Sequence, residues 1–334
     1  MPVNVALIGA AGSGKTTLFN ALTAGRAADG IGMADVPDPR LDRIAAAVKV
    51  KKVVPAQVRL VDAPPGSRAQ RLGAAREADV LLKVVRGFGP DPDPAAEVEE
   101  LALDLAVADL AVVDRRLELL EKDARVGKTA GAAELEVLRA AREALDSGRS
   151  LRRLELEPAR RAWLSRLSLL TLKPEVLVAN VGDELLPRGG EPARRAAQAA
   201  GVEPVVVGAR LELELSQLDP AERDEYRRSF GLDVSGLDAV ARGVWREGGL
   251  ITFFTAGENE ARSWPVERDI PAAAAAGKVH TDFERRFVKA EVTSVDELVE
   301  AGSMEALKAA GRLRLEGRDY LVQDGDVVLF RAGR

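Results

Sequence analysis

Short runs of consecutive apolar residues recur through the first two thirds of the chain: Val3–Ile8, Val58–Val61, Val80–Val85, Val176–Ala179 and Pro204–Val207. Runs of this length bounded by turn formers predict strands buried on both faces, as in a parallel sheet. Helical patterns separate several of them, the first over Lys15–Thr23 directly after the first run. Alternation of this kind predicts an α/β fold with a doubly wound sheet.

Between the third and fourth runs the period changes. Leu103, Ala106, Leu110, Val113, Leu117 and Leu120 alternate spacings of three and four, which is a helical seam. Gly127 to Gly131 interrupts it, and Leu135, Leu138, Ala141 and Leu145 begin a second stripe that ends near Gly148. The pair predicts an antiparallel helical hairpin packed on itself, with Arg115, Arg116, Glu118, Glu121 and Lys122 as its solvated face; a partner-binding arm is the alternative. From about Leu250 short strands follow, with Tyr320 to Val322, the Asp324-Gly325 turn and Val327 to Phe330 predicted as a hairpin of a small α+β domain. The expected division is residues 1–95 with 166–247 as a discontinuous nucleotide-binding domain, 96–165 as the inserted arm, and 248–334 as the C-terminal domain.

Composition narrows the chemistry. A length of 334 residues favours more than one packed unit, and 46% apolar with 30% charged residues is ordinary for a soluble globular protein. The start lacks a secretory pattern and no stretch reaches a membrane-spanning length, so a cytoplasmic protein without membrane contact is expected. Without cysteine and with His280 as the single histidine, disulfides, thiolate chemistry and histidine metal clusters are excluded, and any metal must sit on oxygen ligands. The net charge of −5 gives no global pull toward nucleic acid, and no DNA partner is expected.

Gly9-Ala10-Ala11-Gly12-Ser13-Gly14-Lys15-Thr16 fits G-x-x-x-x-G-K-[ST] between a strand and a helical pattern, the context a phosphate-binding loop requires. Glycines let the backbone wrap close to phosphate oxygens with its N–H groups turned inward, and the helix N-terminus adds a favourable field. Lys15 is assigned to the β- and γ-phosphates and the Thr16 hydroxyl to Mg2+, while Thr17 closes the nucleotide-binding set chiefly as a helix residue. Asp62 ends its strand where a carboxylate can hold a magnesium-bound water, so Thr16 and Asp62 are the expected metal pair and Lys15, Thr16 and Asp62 the catalytic set. In the loop that follows, Gly66 offers an N–H toward the γ-phosphate.

Leu18-Phe19-Asn20-Ala21-Leu22-Thr23, Val36-Pro37-Asp38-Pro39-Arg40-Leu41-Asp42, Arg76-Glu77-Ala78-Asp79 and Gly277-Lys278-Val279-His280-Thr281-Asp282-Phe283-Glu284 stand in the order of a known family. So do Leu315-Glu316-Gly317-Arg318-Asp319-Tyr320 and Asp324-Gly325-Asp326. The chain resembles the YchF family of Obg-related P-loop NTPases over nearly its whole length. The resemblance implies a GTPase-like domain interrupted by a coiled-coil arm, a C-terminal TGS domain of β-grasp type, ATP or GTP as the nucleotide, and ribosome or RNA association through the TGS domain and arm. It also implies that Asn180, Val181 and Asp183 form the base-reading segment, where ordinary GTPases carry Asn-Lys-x-Asp, and that Gly208, Ala209 and Arg210 touch the base through main-chain groups. An acid at Asp183 accepts two hydrogens from guanine, which keeps GTP as a candidate beside ATP.

Departures from the family bear on catalysis. No Ser or Thr lies between Thr23 and Ser67, the second switch is cut to Ala63-Pro64-Pro65-Gly66 and a brief run to Arg76, and Gly12 replaces the usual asparagine. Arg68 and Gln70 are the candidates to orient water. A slow magnesium-dependent ATPase or GTPase is the leading expectation, a non-hydrolysing adaptor working through the TGS domain and arm is the alternative, and a small-molecule kinase is disfavoured by the long hairpin. His280, remote in sequence from the loop, is expected to make a structural hydrogen bond, and Arg285, Arg286 and Lys289 beside Phe283 and Phe287 are candidates for an RNA surface, with alternation along a strand expected to turn the two aromatics into the core.

Overall fold

The apolar runs do form one sheet. In the computed structural model, which describes residues 3–63, 68–125, 131–232 and 234–333, seven strands stand in the order Ala27–Ala28, Ile31–Val36, Ala56–Asp62, Val3–Ile8, Val80–Gly87, Glu175–Val181 and Val205–Val207. Val3–Ile8 pairs in parallel with Val80–Gly87, which pairs in parallel with Glu175–Val181, which in turn pairs in parallel with Val205–Val207. Val5, Leu82, Val84 and Val178 are fully buried, which explains why these strands read as continuous apolar runs rather than as alternation. Because the phosphate loop follows the C-terminal end of Val3–Ile8, the site lies at the edge where doubly wound sheets bind ligands.

Two compact units divide the chain: Asn4–Gly32 with Leu60–Val240, and Met1–Val3 with Met33–Arg59 and Ala241–Arg334. Residues 33–59, expected with the nucleotide domain, therefore belong to the C-terminal unit, and the arm stays with the unit that carries the phosphate loop.

In the first unit the arm pairs the helix Pro94–Arg125 with the helix Ala132–Asp146. Val113, Leu138, Ala141 and Leu151 are buried between them and the segment that closes them, so the hairpin does pack its stripes on itself. Ion pairs Arg116–Glu134, Arg139–Glu121 and Arg142–Asp114 bridge the two helices along their flanks, fixing register more than stability. The seam differs from expectation at one end: Leu103 is exposed and Leu105 is buried instead, because the root of the helix packs against the sheet and not against its partner helix. The interruption at residues 126–130 lies outside the described residues.

Asp109, fully buried on that same helix, anchors the root. It accepts from Leu170 N at 2.9 Å, Thr171 N at 2.7 Å, Thr171 Oγ1 at 2.9 Å and the Arg76 guanidinium at 3.0 Å. Arg76 also donates to Ala108 O and Ser168 O, so the helix Arg68–Glu77 that follows Asp62 is fastened to the arm. A carboxylate with this many donors repays its burial.

The second unit is a six-stranded sheet in the order Arg314–Glu316, Phe287–Ser294, Asp326–Ala332, Leu250–Ala256, Glu260–Glu267 and Lys52–Val54. Side chains alternate across it: Ile251 and Phe253 bury under Ala272–Val279, whereas Phe254 and Ala256 bury under Pro39–Val48 and Val295–Ala301. Leu41 and Ile44 of the 33–59 segment are core residues here, and Arg40 joins Asp38 and Asp324 at 2.7 Å each while lying over the Phe254 ring.

Two expectations are corrected in this unit. Tyr320 to Val322 is not a strand of a hairpin with Val327 to Phe330; it makes a single bridge, Leu321 to Pro271, and Val322 N donates to Ile270 O. The partner positions beside Asp326–Ala332 are taken by Phe287–Ser294 and Leu250–Ala256, and the Tyr320 hydroxyl instead donates to Asp326 Oδ2 at 2.7 Å. Phe283, Arg285 and Arg286 lie in and at the end of the short helix Thr281–Arg285 rather than along a strand. Phe283 and Phe287 pack against the core, leaving Arg285 and Arg286 exposed. His280 caps that helix, its Nδ1 accepting from Asp282 N at 3.3 Å, which is the expected structural hydrogen bond.

Candidate nucleotide site

A loop that must turn its N–H groups toward one point needs backbone angles that L side chains resist. Gly12 and Gly14 supply them with φ of +79° and +88°, and Gly14 in the left-handed region starts the helix Lys15–Leu22. At Gly12 a methyl group would meet open space, whereas at Gly14 it would run into Asn180 Nδ2 and lie 3.7 Å from Phe88 Cε1. A side chain on Gly9 would strike Val84 O and come within 2.9 Å of Ser13 Oγ, a buried hydroxyl without a hydrogen-bond partner among the described residues. Leu18, Phe19 and Ala21 bury the inner face of the helix, which packs beside the helix Ala209–Leu215.

Lys15 folds back over this loop. Its Nζ donates to Gly9 O at 2.9 Å and Ala10 O at 2.6 Å. Burial lowers the ammonium pKa, opposed by the charges of Asp62 and Glu97 and assisted by Arg71. A half-buried cation resting on neutral carbonyls is placed where an anion restores what desolvation costs. Thr16, exposed at the first turn, donates from Oγ1 to Asp62 Oδ2 at 2.7 Å, and Asp62 is 8% exposed with its own N–H bonded to Gly30 O at 2.8 Å. Hydroxyl and carboxylate are oxygen donors suited to Mg2+, and two of them leave coordination positions for phosphate oxygens and water. Among the described residues no group of three or more His, Cys, Asp or Glu gathers into a self-sufficient metal site.

The base end is assembled from distant segments. Asn180, at the end of Glu175–Val181 and 4% exposed, donates from Nδ2 to Ser13 O and accepts on Oδ1 from Ala209 N, both at 3.0 Å. It thereby fastens the phosphate loop to the turn at Gly208, Ala209 and Arg210. Val181 is buried with Ala179 and Ala193 instead of lining the site. Asp183 is partly exposed, and a methyl group on Gly208 would lie 3.2 Å from its Oδ1. Burial first, then Glu214 and Glu184, raise the Asp183 pKa, with Arg210 opposing. Arg210 is exposed and paired with Glu214 at 3.0 Å.

The structure thus gathers Gly9 to Thr16 with Asp62, and separately joins Asn180, Asp183 and Gly208 to Arg210 around the same loop. Thr17 is a helix residue, Gly66 lies outside the described residues, and Gln70 is exposed on the helix Arg68–Glu77. Nothing is described for the Arg68 side chain. Two neighbours escaped the sequence reading. Phe88 follows the strand Val80–Gly87 and reaches Gly14, and Arg71 is close enough to bear on Lys15. An aromatic one residue past a strand that ends beside the loop is the signal that finds Phe88; Arg71 has none.

Comparison with known proteins covers the whole chain. Residues 4–129 match the family described as 50S ribosome-binding GTPase, and residues 250–333 match the YchF GTPase C-terminal family, described as a protein of unknown function (DUF933). The "Ribosome-binding ATPase YchF" of Bacillus subtilis strain 168 is 33% identical, covering 99% of this chain and 99% of that protein. Its Escherichia coli O157:H7 counterpart is 35% identical over 97% of each. In three dimensions the chain shares the fold of the Schizosaccharomyces pombe YchF GTPase, with a TM-score of 0.90, 24% identity, and coverage of 98% of this chain and 97% of that one.

Proposed function

The chain belongs to the YchF family of P-loop nucleotide-binding proteins, and on that premise we propose that it binds a magnesium purine nucleoside triphosphate, ATP or GTP, and hydrolyses it slowly. The observation that carries this reading is the Lys15 ammonium, held over Gly9 O and Ala10 O beside the Thr16–Asp62 pair. Phosphate oxygens arriving on the loop exchange two neutral acceptors for charged ones around Lys15 and receive the N–H groups at the start of the helix Lys15–Leu22. Mg2+, held from Thr16 and through water from Asp62, would neutralise charge on the β- and γ-phosphates. The chain's own contribution is position and charge: Lys15 stabilises the transferring phosphoryl group while water attacks in line.

Slowness follows from residues 24–66, which hold no Ser or Thr and whose Leu41 and Ile44 are committed to the core of the other unit. The same observation favours a second reading, an adaptor that binds nucleotide without turnover. Release of γ-phosphate from ATP and from GTP at excess protein, with Lys15→Ala as the blank, separates them. We expect slow release that falls about a hundredfold or more in Lys15→Ala. Binding without Lys15-dependent release selects the adaptor, and no nucleotide affinity at all removes both readings.

The relatives named ribosome-binding ATPases support ribosome association for this chain too. The arm and the C-terminal unit, read as a TGS domain, are the surfaces we assign to it, with Arg285 and Arg286 exposed for RNA. Co-sedimentation with purified ribosomes tests this; a chain that stays in the supernatant with either nucleotide contradicts it.

A further inference from the structure

The helix that follows Asp62 crosses the strand that delivers the phosphate loop. Arg68–Glu77 connects Ala56–Asp62 to Val80–Gly87, and those two strands flank Val3–Ile8 in the sheet. Ala75 is fully buried, with Leu72 half-buried beside it, in one apolar cluster with Ala6 and with Ile8, the residue directly before Gly9. The chain comes to this helix from the strand end where Asp62 meets Thr16 and leaves it for the start of Val80–Gly87. Its first turn therefore lies at the phosphate edge of the sheet and its last turn at the opposite edge.

The last turn is fixed from outside. Arg76 donates to Asp109 Oδ1 at 3.0 Å, Ala108 O at 2.9 Å and Ser168 O at 2.9 Å. Bonds to several acceptors from one planar guanidinium set the rotation of the helix as well as its position. Arg71 closes the first turn, four residues before the buried Ala75 and so on the same side of the helix, nearer the loop. It is exposed, and its charge reaches the loop: after burial, and against the pull of Asp62, Arg71 helps to depress the Lys15 ammonium. Two cations brought together from different elements repel until an anion joins them. A terminal phosphate is such an anion, since it lies beyond the loop N–H groups, on the side of the lysine and the metal-binding hydroxyl.

We infer that Arg71 is a γ-phosphate ligand, a second cation presented to the terminal phosphoryl group alongside Lys15, and that Arg76, through Asp109, is the positioning residue that aims it. The inference rests on the nucleotide-binding reading and extends it to the terminal phosphate. In hydrolysis the water oxygen bonds to the γ-phosphorus as the bond from that phosphorus to the β,γ-bridging oxygen breaks. The bridging oxygen keeps the electron pair and departs on the diphosphate, while one water proton stays on the released phosphate and the other passes to solvent. Charge spreads over the terminal and bridging oxygens during this step, and a guanidinium fork can pair with two of them at once.

The test is equilibrium titration of the full chain with the magnesium complexes of GDP, ADP and the non-hydrolysable β,γ-imido analogues of GTP and ATP. Wild type, Arg71→Ala, Arg71→Lys and Arg76→Lys are compared, with single-turnover γ-phosphate release from GTP and ATP measured beside them. Arg71→Ala should lose about tenfold in affinity for the analogue the wild type binds, leave the diphosphates within about twofold, and slow release by at least about a hundredfold. Arg71→Lys keeps the charge but not the fork, so analogue affinity should return to within a few-fold of wild type while release stays slow. Arg76→Lys cannot reach the same three acceptors, and should lower analogue affinity and release without lowering diphosphate affinity. A merely structural Arg76 would shift urea unfolding and leave the triphosphate-to-diphosphate ratio in place, which overturns its positioning role. An unchanged ratio in Arg71→Ala, or an equal loss of diphosphate and analogue, overturns the inference; the exposed site and the high helix propensity of alanine keep that variant folded. If the wild type binds without turnover, the ratio decides alone. Failure of diphosphates and analogues alike to bind the wild type removes the underlying reading, an outcome distinct from binding that ignores Arg71.

Discussion

The phosphate end and the base end of this one cradle are built by opposite means. At the phosphate end eight contiguous residues, Gly9 to Thr16, are shaped chiefly by their backbone, and their side chains add one cation, Lys15, and two hydroxyls, Ser13 and Thr16. At the base end a single buried amide, Asn180, joins the loop 167 residues before it to the turn 29 residues after it. Phosphate is common to every nucleotide and suits generic N–H groups, whereas the base is what differs and calls for groups that tell one base edge from another. Damage at the phosphate end should therefore remove affinity for all nucleotides, and damage at the base end should change which one is preferred.

Gly14→Ala breaks that separation and carries the largest expected effect. A methyl group there occupies the place of Asn180 Nδ2, and φ of +88° strains any L residue, so the loop and the Asn180 tie cannot both persist. Affinity for GDP and ADP should fall together by more than about a hundredfold, roughly 3 kcal/mol. Gly12→Ala is the control, since it pays left-handed strain of about 1–2 kcal/mol in open space and should lose roughly tenfold. Titrating both variants in parallel isolates the contact with Asn180; equal losses would show that strain alone matters.

Asn180→Ala comes next. It leaves Ser13 O and Ala209 N without their partner, at a cost of about 2 kcal/mol or somewhat more. The loss should appear in the first transition of urea unfolding, because the tie holds the loop before any ligand arrives. A midpoint that does not move would mean that water replaces the amide and that the two ends are not coupled through it.

How far the sequence reached follows the same divide. Contiguous features were legible: the phosphate loop by its spelling, the buried strands by their apolar runs, and the arm by its stripes. Features that depend on meetings across the chain were not. Lys52–Val54 joins Glu260–Arg262 in parallel, and no local signal reveals that a segment beginning near the phosphate loop ends in another unit's sheet. Asp109 and Glu212 are acids whose charge gives no local sign of burial, yet Asp109 is buried under four donors, and Glu212 is buried where it receives Ser235 Oγ and Gly236 N. Tyr320 to Val322 has strand-like composition, but the sheet positions it needs were already filled by strands from elsewhere.

The smallest expected effect is on the base end alone and is set by pH. The Asp183 carboxyl is raised above its ordinary range by burial and by Glu214 and Glu184, with Arg210 pulling the other way. Only the ionised form can accept from guanine N1 and N2, so a guanine contact at Asp183 would be complete above the raised pKa and fade as pH falls through it. A protonated carboxyl can donate to adenine N1, so the same titration improves the fit of the competitor. The GDP-to-ADP affinity ratio should therefore shrink by a few-fold, under about 1 kcal/mol, as pH drops from neutral toward the acid side, beginning before an ordinary aspartate would titrate at about 3.9. Because guanine binds the ionised form, GDP binding in that window should release protons, which calorimetry in buffers of different ionisation enthalpy detects. A ratio that stays flat while both affinities fall together would place the titrating group at the phosphate end, where protonation weakens both nucleotides equally.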